Sequence, residues 1–213
     1  MRIIERSAFR IELIMPLIRV TQKLQKEIGI KPADLERVRE TSELFTEWYA
    51  HVFLLNRRKQ IIFVEPQTLF SFSISNVSRK DIRERLSTLF ERGLSKALFV
   101  EGASGEVMSK MMNICRDGLS FSKTENRKTL GVMNEFIKQH KFAFWDNDRS
   151  TDIQDWDNRY MPMGGFLDGS KDLEFPLEVF AKILKEKFDL NFIPKKEEHF
   201  KQIFNKNITE HQI

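Results

Sequence analysis

Cysteine is almost absent from this chain. Cys115 is the only one among 213 residues, so an internal disulfide is excluded. It follows several Met and Ile residues at helical spacing, which favours a buried structural thiol over a reactive one. A chain without disulfides suits a reducing compartment, and the sequence therefore predicts a cytoplasmic protein.

Long hydrophobic runs are also lacking. The most apolar stretch near the N-terminus, residues 11–18, is interrupted by Glu12 and Pro16. No small-residue cleavage site follows it, which argues against a signal peptide. No run reaches the roughly 20 apolar residues that a membrane span needs. The sequence therefore predicts no association with a membrane.

Signatures of metal, calcium and nucleotide sites are missing as well. The four histidines are too scattered for a metal motif: His51, His140, His199 and His211. An acidic run from Asp146 resembles a calcium loop but has Thr151 in place of the glycine and Asp157 in place of the glutamate. Gly102 and Gly105 lack the Lys and Ser or Thr of a phosphate-binding loop. The sequence predicts neither a metal nor a cofactor.

The composition is that of a folded protein with a weak positive charge. Hydrophobic residues make up 41% and charged residues 31%, and the net charge is +4. This apolar content is enough for a core. The patterns predict an N-terminal extension over 1–16, one domain over 17–190 and a helical tail over 191–213.

The middle of the chain predicts an antiparallel meander over about 48–74. Three β-prone runs follow one another, at 48–55, 60–64 and 68–74. Polar turns at 56–59 and 65–67 separate them, a spacing typical of consecutive hairpins. Further short strands are predicted at 17–20 and 118–123.

Capping signals predict several helices around these strands. Thr21 and Gly29 bracket one short helix, and Ser78 and Asn126 each precede a longer one. Pro32 and Pro176 occupy positions where proline opens a helix, the former predicting a helix that extends through Leu35, Val38 and Leu44. Strands and helices in separate runs predict the α+β class, with the meander packed against several helices.

The strongest candidate for binding is a basic hairpin tip. Arg57, Arg58 and Lys59 project together there, and Arg79 and Lys80 follow the meander. Such a cluster can meet the phosphates of a polyanion. The alternative is a solvated turn whose charges only keep the meander soluble.

Two further sets of residues are binding candidates. Trp48 and Tyr49 face opposite sides of a strand, so one of them can offer a stacking surface while the other enters the core. Arg127 begins a predicted helix, and Asn134 lies among the apolar positions of that helix. There Asn134 either anchors the helix to the meander or lines a pocket.

These observations leave three hypotheses for function. The first is a non-enzymatic binding module that contacts nucleic acid or a protein partner through the basic hairpin. The alternative is a nuclease or toxin-like enzyme with a cleft formed by Arg127, Asn134 and two catalytic candidates, His51 and Glu135. In the third, the acidic segment 145–174 is the contact surface of a subunit that folds fully only with its partner. The oligomeric state is not predicted.

The order of several short motifs resembles an uncharacterised domain family of bacteria and archaea. These are WYA at 48–50, NRRK at 56–59, TLFSF at 68–72 and NRKTLGVMNEF at 126–136, followed by NR at 158–159 and FPLE at 175–178. The resemblance covers about Leu17 to Leu190. The sequence departs from the family at His51, where an asparagine is usual, and at Lys128 and Thr129, where serine and valine are usual. The resemblance implies a single α+β domain and no particular activity.

Overall fold

The computed structural model describes residues 15–36, 44–115, 118–146, 158–159 and 175–194, without the side chains of residues 115, 145 and 146. Several predictions lie outside these residues: the extension up to residue 14, the environment of the Cys115 thiol, most of the acidic segment and the tail beyond residue 194. Residues 191–194 are described and are not helical.

A mixed sheet forms the centre of the protein. Its five strands are β1 (Leu17–Val20), β2 (Glu47–Leu55), β3 (Arg58–Val64), β4 (Ser71–Ile74) and β5 (Ser120–Lys123). They lie in the order β4-β3-β2-β1-β5. Strands β2, β3 and β4 are the predicted antiparallel meander, whereas β1 pairs in parallel with both β2 and β5. The predicted α+β class is confirmed.

The described helices are α1 (Gln22–Ile28), α2 (Arg79–Val100), α3 (Gly105–Cys115), α4 (Arg127–Asp146) and α5 (Pro176–Phe188). The starts of α1, α2, α4 and α5 follow the predicted signals. The Thr21 side chain accepts a hydrogen bond from the Leu24 amide, and Gly29 ends α1 with a φ of 88°. Ser78 and Asp81 form a reciprocal capping box at the start of α2.

The two faces of the sheet are covered by different helices. The front face carries Ile18, Trp48 and Phe63, and α1, α2 and α5 pack on it. The back face carries Phe53 and Ile62, and α4 packs on it. Burial of both faces explains why the strands of the meander read as nearly continuous hydrophobic runs.

Helix α2 approaches the front face closely at Gly93. A Cβ atom at this position would lie 2.7 Å from the ring of Phe72, which is too short for a real contact. Glycine here is therefore a packing requirement and not a conformational one, because it lets the helix backbone come within reach of the sheet.

The predicted helix from Pro32 to Leu44 is wrong over its described part. Pro32–Asp34 makes a single 3₁₀ turn, and Leu35 is extended, with φ −76° and ψ 136°. Glu36 then pairs with Ser122 of β5, where its amide donates to the Phe121 carbonyl at 2.8 Å. Pairing along the open edge of the sheet replaces the helix that local propensity favours.

The Asn158–Arg159 dipeptide fastens two parts of the fold. The Asn158 side chain accepts a hydrogen bond from the backbone amide of Ser71 at 2.7 Å and donates one to the Ser71 carbonyl at 3.0 Å. Both backbone groups of the first residue of the edge strand β4 therefore have a partner. The Arg159 guanidinium makes a bidentate ion pair with the buried carboxylate of Glu101, which lies just after α2.

Candidate functional site

The β2–β3 hairpin ends in a two-residue turn. Asn56 and Arg57 both have positive φ, 47° and 61°, as in the type I′ turns that suit the twist of a hairpin. Leu55 and Arg58 are the last paired residues, so Arg58 and Lys59 belong to β3 and not to the turn. A turn this short holds the backbone at the tip in one arrangement.

Arg57 and Arg58 are exposed at this tip. Neither side chain makes an ion pair or a hydrogen bond within the described part of the chain. Lys59 is different, because its Nζ lies 2.7 Å from the Glu27 carboxylate. Of the three cations predicted at the tip, two are therefore available to a ligand and one is already paired.

Glu27 of α1 joins three segments of the chain. Its carboxylate holds Lys59 of the hairpin and lies 3.6 Å from the Nε atom of Arg79 at the start of α2. The Glu27 carbonyl accepts from Nε of Arg83 at 3.3 Å. The Val77 amide, just before α2, donates to the Lys59 carbonyl at 3.0 Å. These bonds set α1, the hairpin tip and the start of α2 side by side.

These three segments form what we call the basic face: residues 22–28, 56–59 and 79–85. They carry nine Lys and Arg residues against three Asp and Glu residues. The excess of six positive charges is larger than the net charge of +4 for the whole chain. Positive charge is therefore concentrated here while the remainder of the chain carries a slight negative excess.

The amide groups at the start of α2 do not add to this site. The Ser78 hydroxyl accepts from the Asp81 amide at 3.1 Å, and the Asp81 carboxylate accepts from the Ser78 amide at 3.0 Å. Hydrogen bonds from Ser78 and Arg85 hold the pKa of Asp81 well below its usual range. Because the helix end is capped internally, a ligand on the basic face meets side chains and not the helix terminus.

Trp48 is fully buried and offers no stacking surface. Its ring makes edge contacts with Phe72 and Phe90, and its Nε1 donates to the Phe45 carbonyl at 2.9 Å. Tyr49 is 2% exposed, and its hydroxyl accepts from the Asn126 amide at 3.1 Å. The prediction that one of the two faces a ligand is wrong because both faces of β2 are covered by helices.

His51 is held as a neutral, half-buried ring. Its Nδ1 lies 2.8 Å from the Thr21 hydroxyl. Burial, reinforced by the charges of Lys23 and Lys141, lowers the pKa of His51 to about 4. At neutral pH the ring therefore carries no charge, and it is a weaker base than an ordinary histidine.

The structure does not assemble the predicted catalytic cleft. Arg127 and Asn134 are exposed on α4, and Glu135 is half-buried. No hydrogen bond or ion pair joins any two of these residues or His51 within the described ranges. Lys141, which is close enough to act on His51, lies 14 residues after Arg127, about 21 Å along the helix axis. The placement of Asn134 among apolar positions is also wrong.

Sequence reasoning missed a charged network in the middle of the sheet. Arg19 of β1 is 4% exposed. Its guanidinium makes a bidentate ion pair with the Glu47 carboxylate, in which Nε lies 2.5 Å from Oε1 and Nη2 lies 3.1 Å from Oε2. Its Nη1 donates to the Lys123 carbonyl and lies 3.3 Å from Glu125. The sequence did carry a signal for this network, because Arg19 is a charged residue in an otherwise apolar strand. Parallel strands are usually apolar throughout, so a charge inside one indicates a buried ion pair.

Glu65, directly after β3, is a buried carboxyl group that is 1% exposed. One of its oxygens accepts from the amides of Gln67 and Thr68 and from the Thr68 hydroxyl. Burial nevertheless outweighs these bonds and raises the pKa of Glu65 to about 7. The folded protein therefore keeps this group protonated over much of the range below neutral pH.

This shift predicts a pH-dependent effect for Glu65→Gln. The unfolded chain loses the proton near the ordinary value of 4.5, and the folded chain loses it near 7. The unfolded state thus binds fewer protons in this interval, and the stability contributed by Glu65 falls as pH rises. Relative to wild type, the free energy of unfolding of Glu65→Gln is expected to rise by about 2–3 kcal/mol between pH 4.5 and 8.

Urea denaturation of both proteins at several pH values measures this difference. Glu84→Gln, at an exposed position on α2, is the matched control and should follow the wild-type profile. Parallel profiles for Glu65→Gln and wild type would show that the buried carboxyl does not hold a proton.

Within the described residues, no group of three or more His, Cys, Asp or Glu side chains is placed to hold a metal ion. The described helices also include none with the length and apolarity required to cross a membrane.

Fold and site together define an α+β domain with one strongly basic face. Among the described residues, the predicted catalytic side chains do not meet at one site. The chain belongs to the family described as a domain of unknown function, DUF6933, whose model matches residues 17–179. The predicted membership of an uncharacterised family is thereby confirmed. No curated protein and no solved structure matches the chain.

Proposed function

We propose that this protein is a non-enzymatic binding module of the cytoplasm that contacts nucleic acid through its basic face. The observation that carries the proposal is that Arg57, in the two-residue turn, and Arg58, the first residue of β3, are exposed and have no partner within the described residues. The basic segments of α1 and α2 lie next to this hairpin. Arginine suits this role because its planar guanidinium matches the oxygens of a phosphate group. The cytoplasm is proposed from the single cysteine.

The preformed backbone of the basic face supports this proposal. The hairpin, α1 and α2 are connected through two backbone carbonyls: that of Lys59 accepts from the Val77 amide, and that of Glu27 accepts from Arg83. A ligand therefore meets cations on ordered elements and orders mainly their side-chain ends on binding. Because fewer groups lose conformational freedom on binding, a larger part of the favourable electrostatic free energy remains as binding affinity.

Titration of a labelled nucleic acid with the full chain, followed by fluorescence anisotropy, tests the proposal. Binding is expected at low salt, and it should weaken steadily as salt is added because cations that meet phosphates release condensed counterions. Polyglutamate of similar charge is the control for an acidic protein partner. Binding of polyglutamate as tight as that of nucleic acid, or no binding of nucleic acid at low salt, would contradict the proposal.

Glu27 is expected to act as a competitor of the ligand. Its carboxylate neutralises Lys59 and lies near Arg79, so a phosphate must displace it to reach either cation. Glu27→Gln removes this negative charge and releases both cations. The affinity for nucleic acid is expected to rise by about three- to tenfold at low salt. Stability should fall by less than about 1 kcal/mol, because these pairs are partly exposed.

Glu84→Gln is the matched control for this prediction. It removes the same charge from α2, but Glu84 is paired only weakly, with the exposed Lys80 at 4.0 Å. Its effect on affinity is expected to be smaller than that of Glu27→Gln. An unchanged or lower affinity for a well-folded Glu27→Gln protein would show that the carboxylate does not compete with the ligand.

A further inference from the structure

Resting on the proposed function, we infer that the nucleic acid bound by the basic face is a duplex, recognised through its phosphate backbone and not through unpaired bases. The inference comes from which side chains lie beside the cations and from how those cations are held in place.

The described part of the basic face carries no aromatic platform. Proteins that bind single strands stack the bases on exposed aromatic rings, each of which contributes about 1–3 kcal/mol. The two exposed aromatic side chains among the described residues lie elsewhere. Phe99 is at the far end of α2, and Phe142 is on α4, which packs on the back of the sheet. Unpaired bases therefore find cations on this face but no ring to stack on.

The cations are carried by elements whose relative positions are set by hydrogen bonds. The Lys59 carbonyl is bonded to the Val77 amide, and the Lys26 carbonyl accepts from Arg79 at 3.4 Å. A duplex presents its phosphates at regular intervals, one negative charge per roughly 1.7 Å of helix axis. A fixed array of cations suits such a regular ligand better than a single strand, which must first be ordered.

Counterion release also favours the duplex. For the same number of phosphate contacts, the logarithm of the binding constant changes with the logarithm of salt by about 0.9 per contact on a duplex and about 0.7 on a single strand. At low salt the basic face therefore gains more from a duplex.

The hairpin tip adds an exposed apolar side chain to the cations of the basic face. Leu54 is 53% exposed and pairs with Lys59 across the hairpin, so that the two side chains lie on the same face. An apolar side chain beside cations can lie against the sugar and base edges while the arginines meet the phosphates.

The experiment compares three probes at equal salt with the full chain: a labelled 20-mer duplex DNA, one of its strands chosen to be unstructured, and inorganic polyphosphate as a competitor. The duplex is expected to bind at least tenfold more tightly than the single strand. At equal phosphate concentration, polyphosphate should compete less well than unlabelled duplex.

The outcomes separate this inference from the proposed function. Single-strand binding as tight as duplex binding would overturn the inference and leave the proposed function standing. Competition by polyphosphate as effective as that by duplex would also overturn it, since charge alone would then explain binding. Failure to bind either DNA at low salt would overturn the proposed function itself.

Discussion

Replacing Glu101 by alanine is expected to lower the free energy of unfolding by about 3–4 kcal/mol, because the change breaks a buried ion pair. The Glu101 carboxylate is 1% exposed and is held by both terminal nitrogens of Arg159, with Nη1 at 2.7 Å from Oε1. Removing the carboxylate breaks the ion pair with a guanidinium that is itself only 15% exposed. Urea denaturation of wild type and variant measures the difference.

An exposed pair provides the control for this result. Glu84→Ala breaks only the pair with Lys80, whose side chain is 79% exposed, and is expected to cost less than about 1 kcal/mol. In the double variant Glu101→Ala/Arg159→Ala the loss should be smaller than the sum of the single losses, because the two residues contact each other and each single variant already removes their shared ion pair. A loss below about 1 kcal/mol for Glu101→Ala would mean that Arg159 does not hold the α2 end.

The largest expected effect on binding comes from reversing the charge of the hairpin tip. Arg57→Glu/Arg58→Glu changes the charge of the basic face by four units and puts two carboxylates where phosphates are expected. The affinity for duplex DNA should fall at least a hundredfold at low salt, since each lost phosphate contact costs about tenfold and like charges add repulsion. Fluorescence anisotropy measures the loss.

The matched control moves the same charge change away from the basic face. Lys138→Glu/Lys187→Glu alters two exposed cations, one on α4 behind the sheet and one near the end of α5. When both variants are compared at about 0.1 M salt, the affinity of this control should stay within about fivefold of wild type. At that ionic strength, exposed charges more than a Debye length of about 10 Å away are largely screened. An equal loss in both variants would show that net charge, and not the hairpin tip, determines binding.

Local signals in the sequence predicted the helix boundaries and the meander. Thr21, Ser78 and Asn126 cap the helices that follow them, as their side chains and positions predict. The meander followed from β-prone runs separated by short turns. Such features depend on interactions between residues a few positions apart, which is why one sequence was enough to predict them.

Features that join distant segments were not predictable in the same way. Strand β5 pairs with β1 about 100 residues earlier in the chain, and Asn158 completes the edge of β4 from 87 residues away. Glu27 looks in the sequence like one solvated charge on a short helix, yet it joins the hairpin to α2. No local pattern specifies which partner such a side chain meets.

Two errors were avoidable from the sequence itself. The apolar stripe of α4 includes Met133, Phe136 and Ile137, and at 100° per residue Asn134 lies at its margin, turned towards solvent. Arg19, inside an apolar strand, signalled a buried ion pair that was not considered.

The central claim is that Arg57 and Arg58 meet phosphates of the ligand. The most direct measurement is the slope of the logarithm of the duplex-binding constant against the logarithm of salt concentration, for wild type and for Arg57→Gln/Arg58→Gln. Two lost contacts should make the slope shallower by about 1.8. Identical slopes for the two proteins would contradict the account.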